Sequence, residues 1–107
     1  MKRRKIPEMP PGPIVSTPSG PEIDLHGLLV SEALERLETA IYDALRDGQT
    51  RLRVNHGKGT GALRRAVRTM LSDHPKVRTM QQASVQEGGT GVTIAALGST
   101  RRSDKYA

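Results

Sequence analysis

Ile23-Asp24-Leu25-His26-Gly27 and, thirty residues further on, His56-Gly57-Lys58-Gly59-Thr60-Gly61 are the stretches that decide how this chain folds. In the first, Ile23 and Leu25 alternate with Asp24 and His26, the period of a short half-buried strand over 23–26. Val30, Leu34, Leu37, Ile41, Ala44 and Leu45 then recur at helical spacing, which predicts a helix of about four turns with Ser31 as N-cap and Gly48 as the stop. Arg51 to Asn55 alternates again, with Leu52 and Val54 toward the core and Arg51, Arg53 and Asn55 away from it. A strand-helix-strand unit of this length is a right-handed crossover between parallel strands, so both strands end at one edge of the sheet. Asp24, His26 and His56 are therefore expected at a single rim. Strict alternation puts His56 on the Leu52/Val54 face and His26 on the other, so convergence requires the second strand to break at Asn55.

Past the glycine turn, Leu63, Val67, Met70 and Leu71 form the apolar stripe of a second helix that Pro75 terminates. Val77 to Gln82 and Val92 to Ala96 are the remaining strand candidates, separated by the turn-rich stretch 86–91. The order is β-α-β-α-β-β, an α/β two-layer sandwich with two helices on one face of a four-stranded mixed sheet. The folded domain is expected over residues 22–97. Residues 1–21, Pro-rich and carrying Lys2-Arg3-Arg4-Lys5, read as a disordered basic arm or a linker, and residues 98–107 as a disordered basic tail.

The apolar material is aliphatic, with no Phe or Trp, so the core is small-grained. The absence of cysteine excludes disulfides, thiolate metal sites and a cysteine nucleophile. No apolar run is long enough to span a membrane, and a cytoplasmic protein without a membrane partner is the expectation. Of the formal net charge of +6, the two tails supply five charges. Within the domain the signs segregate: residues 22–47 hold seven acids and two bases, whereas residues 48–79 hold eight bases and only Asp73 as acid. That basic half is where a polyanion would dock.

The glycine stretch opens directly into a helix whose first N–H groups lack internal partners and attract anions. Gly57, Lys58, Gly59, Thr60 and Gly61 are accordingly the candidate phosphate-binding residues, with Lys58 adding a point charge. A ligand-free strand-to-helix turn is the bland alternative. Gly59 after the lysine excludes a Walker loop. Gly57, Gly59 and Ala62 fit a dinucleotide fingerprint, but a chain with one crossover lacks the doubly wound sheet that fingerprint needs. Asp24 and His26, two apart on a strand, share a face where the carboxylate can orient the imidazole. Such a histidine, near neutrality, can take a proton from an attacking oxygen or return one to a leaving oxygen. Asp24, His26 and His56 are the candidate catalytic residues. Two histidines and a carboxylate could instead form an open three-ligand site, so a divalent metal stays an open alternative although no cofactor is firmly expected. His74, before Pro75, reads as a helix C-terminal charge or cap. Arg53, Arg64, Arg65 and Arg68 are candidates for tracking a nucleic-acid backbone, against the alternative of a solvated face. Tyr42 and Tyr106, the two aromatic residues, lie far from the motifs in sequence, so contacts are expected mainly to the backbone and weakly sequence-selective.

These residues resemble the Smr (small MutS-related) domain, in particular the kind at the C-terminus of bacterial MutS-like proteins. The resemblance covers Glu22 to Leu97. It rests on Ile23-Asp24-Leu25-His26-Gly27, Glu32-Ala33-Leu34, His56 to Arg64, and Gly88-Gly89-Thr90-Gly91-Val92-Thr93-Ile94. It implies a sandwich similar to the C-terminal domain of translation initiation factor three, with DNA-nicking or RNA-cleaving activity in several members and nucleic-acid or ribosome binding in others. By motif, Asp24 and His26 match the family's Leu-Asp-x-His pair, implicated in cleavage, and His56 to Gly61 its His-Gly-x-Gly element. The expectation is an endonuclease that cleaves DNA or RNA with little sequence selectivity. The alternative is a non-catalytic module that docks a larger MutS-like chain onto nucleic acid or a ribosome.

Overall fold

The computed structural model describes residues 14–17 and 20–98. Seven elements succeed one another: β1 (Val15–Thr17), β2 (Gly20–Asp24), α1 (Val30–Arg46), β3 (Arg51–Asn55), α2 (Ala62–Asp73), β4 (Val77–Gln82) and β5 (Val92–Leu97). The sheet order is β1-β2-β3-β5-β4. β2 and β3 are parallel, as the crossover through α1 requires, and the other pairs are antiparallel.

Five strands, rather than the expected four, make up the sheet. The additional one is β1, which pairs antiparallel with β2, Val15 opposite Glu22 and Thr17 opposite Gly20. Part of the stretch assigned above to an arm, Val15–Thr17 with Gly20 and Pro21, is thus paired on the sheet's edge. β1 itself, Val15-Ser16-Thr17, is free of proline, and Pro21 of β2 lies opposite Ser16, before the β2/β3 register begins at Glu22. The Lys2 to Lys5 run and the 99–107 tail lie outside the described residues. No helix among the described residues is long and apolar enough to cross a membrane.

Leu37, Ile41 and Ala44 of α1 and Val67 and Leu71 of α2 are buried in one cluster with Ile23, Leu25, Leu52, Val54, Ala95 and Leu97. Both helices therefore cover the same sheet face, the one carrying Leu52 and Val54. The opposite face holds a smaller apolar cluster, Ala83, Val92 and Ile94. It also holds Arg53, placed by register between Glu22 and Ile94. The N-cap of α1 lies two residues before the expected one: Leu29 occupies it with no side-chain cap, and Ser31 lies within the first turn. At the other end of α2, His74 is the C-cap as expected, and it is buried. Its Nε2 lies 2.9 Å from Glu38 Oε1 and its Nδ1 accepts the Lys76 N–H at 3.0 Å, tying the end of α2 to α1.

Candidate functional site

Because β2 and β3 run parallel, their C-terminal ends and the heads of α1 and α2 meet at one edge. The Leu25 N–H donates to the Asn55 carbonyl at 2.7 Å and carries the pairing one residue past the end of β2. The two loops are then pressed together at Gly57. With φ of +75°, Gly57 adopts a conformation that favours glycine, and a Cβ built there would lie 3.0 Å from the His26 Cβ. A glycine is required at this point for the two motifs to meet. Between them is a cleft of about 360 Å³ lined by His26, Gly27, Leu28, His56, Leu63, Arg64 and the loop from Gly57 to Gly61.

Asp24 and His26 occupy the exposed lip of this cleft. Asp24 Oδ1 accepts both the backbone N–H of His26, at 3.1 Å, and its ring Nδ1–H, at 2.5 Å. The carboxylate thereby sets the tautomer, leaving Nε2 as the ring atom open to a ligand. Its hydrogen bond, and then its charge, raise the His26 pKa above the ordinary value, and the small burial of the ring works weakly the other way.

His56 is a different case. It stays on the Leu52/Val54 face, as alternation dictates, and is only 4% exposed. Its Nδ1–H donates to the Gly57 carbonyl at 2.9 Å. A carbonyl can only accept, so the neutral ring's Nε2 must be the acceptor, and it takes the hydroxyl of Thr93 at 2.9 Å. Burial pushes the pKa down. The Gly57 carbonyl opposes that shift, and the charges of Arg64 and Arg68 add to it. His56 is thus a neutral ring with both nitrogens engaged, a strut under the glycine loop.

Two partners of that strut were not recognised in the sequence. Thr93, buried in β5, stands out in the sequence only as a member of the block from Gly88 to Ile94. Asn55 accepts the Gly57 N–H on its Oδ1 at 3.1 Å, and an Asn just before a glycine turn was the available signal. Gly91 adds a third support, its carbonyl accepting the His56 and Gly57 N–H groups at 3.0 and 3.1 Å.

The Gly57 N–H is accordingly not available to a ligand. The open donors lie further along. Thr60 Oγ1 accepts the Ala62 N–H at 3.3 Å, whereas the N–H groups of Leu63 and Arg64 have no acceptor among the described residues. Lys58, Gly59 and Thr60 are exposed. Arg64 runs along the cleft with one Nη on Gln82 Oε1 at 3.3 Å, while its buried Nε has no partner among the described residues. Arg65 folds back near Gly61, and Arg68 is close enough to act on His56.

Arg53 is the exception among the candidates. It is 8% exposed, its Nε–H donates to Glu22 Oε1 at 2.9 Å and one Nη–H donates to the Glu87 carbonyl at 2.5 Å. Its guanidinium is spent on the opposite face of the sheet, which corrects its assignment as a backbone contact. The physical reason is the parallel register that puts Glu22 beside it.

Residues 23–98 match the Smr domain family model. The chain belongs to the Smr family. It is 47% identical over 89 residues to Endonuclease MutS2 of Thermomicrobium roseum, a match covering 82% of this chain and 11% of that protein. To Endonuclease MutS2 of Thermus thermophilus it is 43% identical over 97 residues, covering 88% and 13%. The chain thus spans about a tenth of the length of the curated relatives it matches. Among solved structures it is similar to the Smr domain of Thermus thermophilus MutS2, with TM-score 0.71, 47% identity, and coverage of 72% of this chain and 96% of that one. It also resembles YdaL, a stand-alone small MutS-related protein from Escherichia coli, with TM-score 0.68 and 27% identity over 71% of this chain and 63% of that one. The Smr match begins at Ile23, so β1 lies outside it.

In this Smr domain the residues do not make a metal-binding set. Asp24 and His26 are bonded to each other, His56 to Gly57 and Thr93, and no group of three His, Asp or Glu side chains among the described residues could hold an ion.

Proposed function

We propose that this Smr domain is a sequence-tolerant endonuclease that cleaves phosphodiester bonds in DNA or RNA, as part of a larger MutS-like chain. The observation that carries it is the Asp24–His26 pair, its Nε2 open, on the lip of a cationic cleft headed by helix N–H groups with no acceptor among the described residues. A phosphate seated on the N–H groups of Leu63 and Arg64 would be flanked by Lys58 and Arg64, which offset charge developing on its oxygens. His26 then transfers the proton. Neutral, its Nε2 takes the proton of the attacking hydroxyl or water; protonated, it donates to the oxygen released as the P–O bond breaks. Asp24 orients the ring and favours the protonated form, which suits the second role at neutral pH. His56 transfers no proton here; its part is to hold the Gly57 carbonyl and the loop. The names of the MutS2 relatives support the nuclease reading, and a cytoplasmic location belongs to the same proposal.

The test is nicking of supercoiled plasmid and cleavage of end-labelled RNA by the purified chain. His26→Ala is expected to reduce cleavage about 10²- to 10⁴-fold, the range for losing a general acid or base. Cleavage unchanged in that variant would remove the proposal.

A second reading, a non-catalytic module that docks a MutS-like chain onto nucleic acid or a ribosome, is favoured by one observation: His56 has no free nitrogen, so the cleft holds a single available imidazole. Salt-sensitive binding without cleavage of either substrate would select it.

A further inference from the structure

Leu29 is an exposed apolar residue in a position that favours a polar one. It occupies the N-cap of α1, where a Ser, Asp or Asn side chain would accept an N–H of the first turn, and it supplies no such bond. Nor does it contribute to the core, since it is 74% exposed. A residue that is unfavourable both as a cap and as exposed apolar surface marks a place where local stability yields to another requirement. Its neighbours suggest what that is. Leu28, one residue before, lines the cleft together with Leu63, and Val30, one residue after, is 39% exposed. Leu29 thus follows directly on a cleft-lining residue, at the head of α1.

We propose that Leu29 is an apolar wedge that packs against a nucleobase beside the phosphate held in the cleft, so that the domain prefers sites where a base step is already unstacked. The inference rests on the nucleic-acid reading of the cleft. Charge complementarity identifies the occupant: Lys58, Arg64 and the helix N–H groups with no acceptor among the described residues select a polyanion, and the polyanion that also carries flat apolar faces is a nucleic acid. In a continuous duplex those faces are closed by stacking, and a leucine meets only groove edges. Where pairing is interrupted the face is open, and inserting an aliphatic side chain costs less. With no Phe, Tyr or Trp lining the cleft, and with the rings of His26 and His56 tied to Asp24 and to Gly57 and Thr93, an aliphatic wedge is the means of such a contact.

The experiment is fluorescence anisotropy of the whole chain with two labelled duplexes of one sequence, one fully paired and one with a central mismatch, at fixed salt. The wild-type protein is expected to bind the mismatched duplex about tenfold more tightly, the scale set by burying most of one leucine side chain. In Leu29→Ser that preference should collapse to within about twofold, while the thermal midpoint stays level or rises because the serine caps α1. Leu29→Met, still apolar, should keep the preference. Retained preference in Leu29→Ser, or equal loss on both duplexes, overturns the wedge. Equal wild-type affinity for the two duplexes overturns it while leaving the nucleic-acid reading intact, and no binding to either overturns both.

Discussion

Two histidines line one cleft, and their surroundings shift their pKa values in opposite directions. Asp24 holds the exposed His26 ring by one nitrogen and raises its pKa. Burial, opposed by the Gly57 carbonyl and reinforced by Arg64 and Arg68, keeps His56 neutral. The second effect has a consequence for stability. With its pKa lower in the folded state, His56 takes up a proton in the unfolded chain first as pH falls. Its contribution is therefore complete above the ordinary histidine value of about 6.5 and is lost as pH drops through the folded value. In thermal melts the wild-type protein should lose more of its midpoint than His56→Gln between about pH 7 and pH 5. Parallel curves for the two proteins would contradict the buried, neutral ring. At this scale the sequence was a partial guide. The motif residues were legible, and strand parity already set His56 on the core face, but its partners were not, because Thr93 lies 37 residues away on a strand whose register no local pattern reveals.

Among the elements, the crossover β2-α1-β3 and both helices could be read from apolar spacing alone, and β3 has the expected limits, Arg51–Asn55. β1 could not, since three residues beside prolines carry too short a pattern and pair only because β2 offers an edge. The cap of α1 was misplaced because Ser31 has the right chemistry and the chain turns at Leu29 instead. Arg53 shows the same limit: alternation correctly took it off the helix face, and only the β2/β3 register discloses that Glu22 stands next to it. There it joins β2 and β3 to the 3-10 turn at Val85–Glu87. Glu22→Ala leaves a nearly buried guanidinium with one carbonyl partner. It should cost about 2–3 kcal/mol in chemical denaturation, less than for a deeply buried pair because Glu22 keeps some exposure. A cost below about 0.5 kcal/mol would show the pair to be solvent-screened. Phosphate-backbone affinity, by contrast, should not depend on Arg53.

For the molecule as a whole, most of the formal charge of +6 lies in the terminal segments, while Lys58 and Arg64 line the cleft, with Arg65 near Gly61 and Arg68 near His56 beside it. Duplex binding by these four would release a matching number of counterions, so log K against log salt should slope at about −3 to −4. Removal of residues 1–13 should leave that slope if the cleft is the anchor, and a fall to near zero would transfer the binding to the arm. The cleft itself is the product of topology: parallel strands bring two helix heads to one edge, and glycine at position 57 lets the loops touch. The central claim is that His26, tuned by Asp24, moves the proton there. Its most direct test is the single-turnover cleavage rate against pH for the wild-type protein and Asp24→Asn. The expected wild-type profile turns at a pKa above the ordinary histidine value, and the turn moves to lower pH in Asp24→Asn. A turn at the same pH in both proteins, or a rate indifferent to pH across the histidine range, would contradict the account.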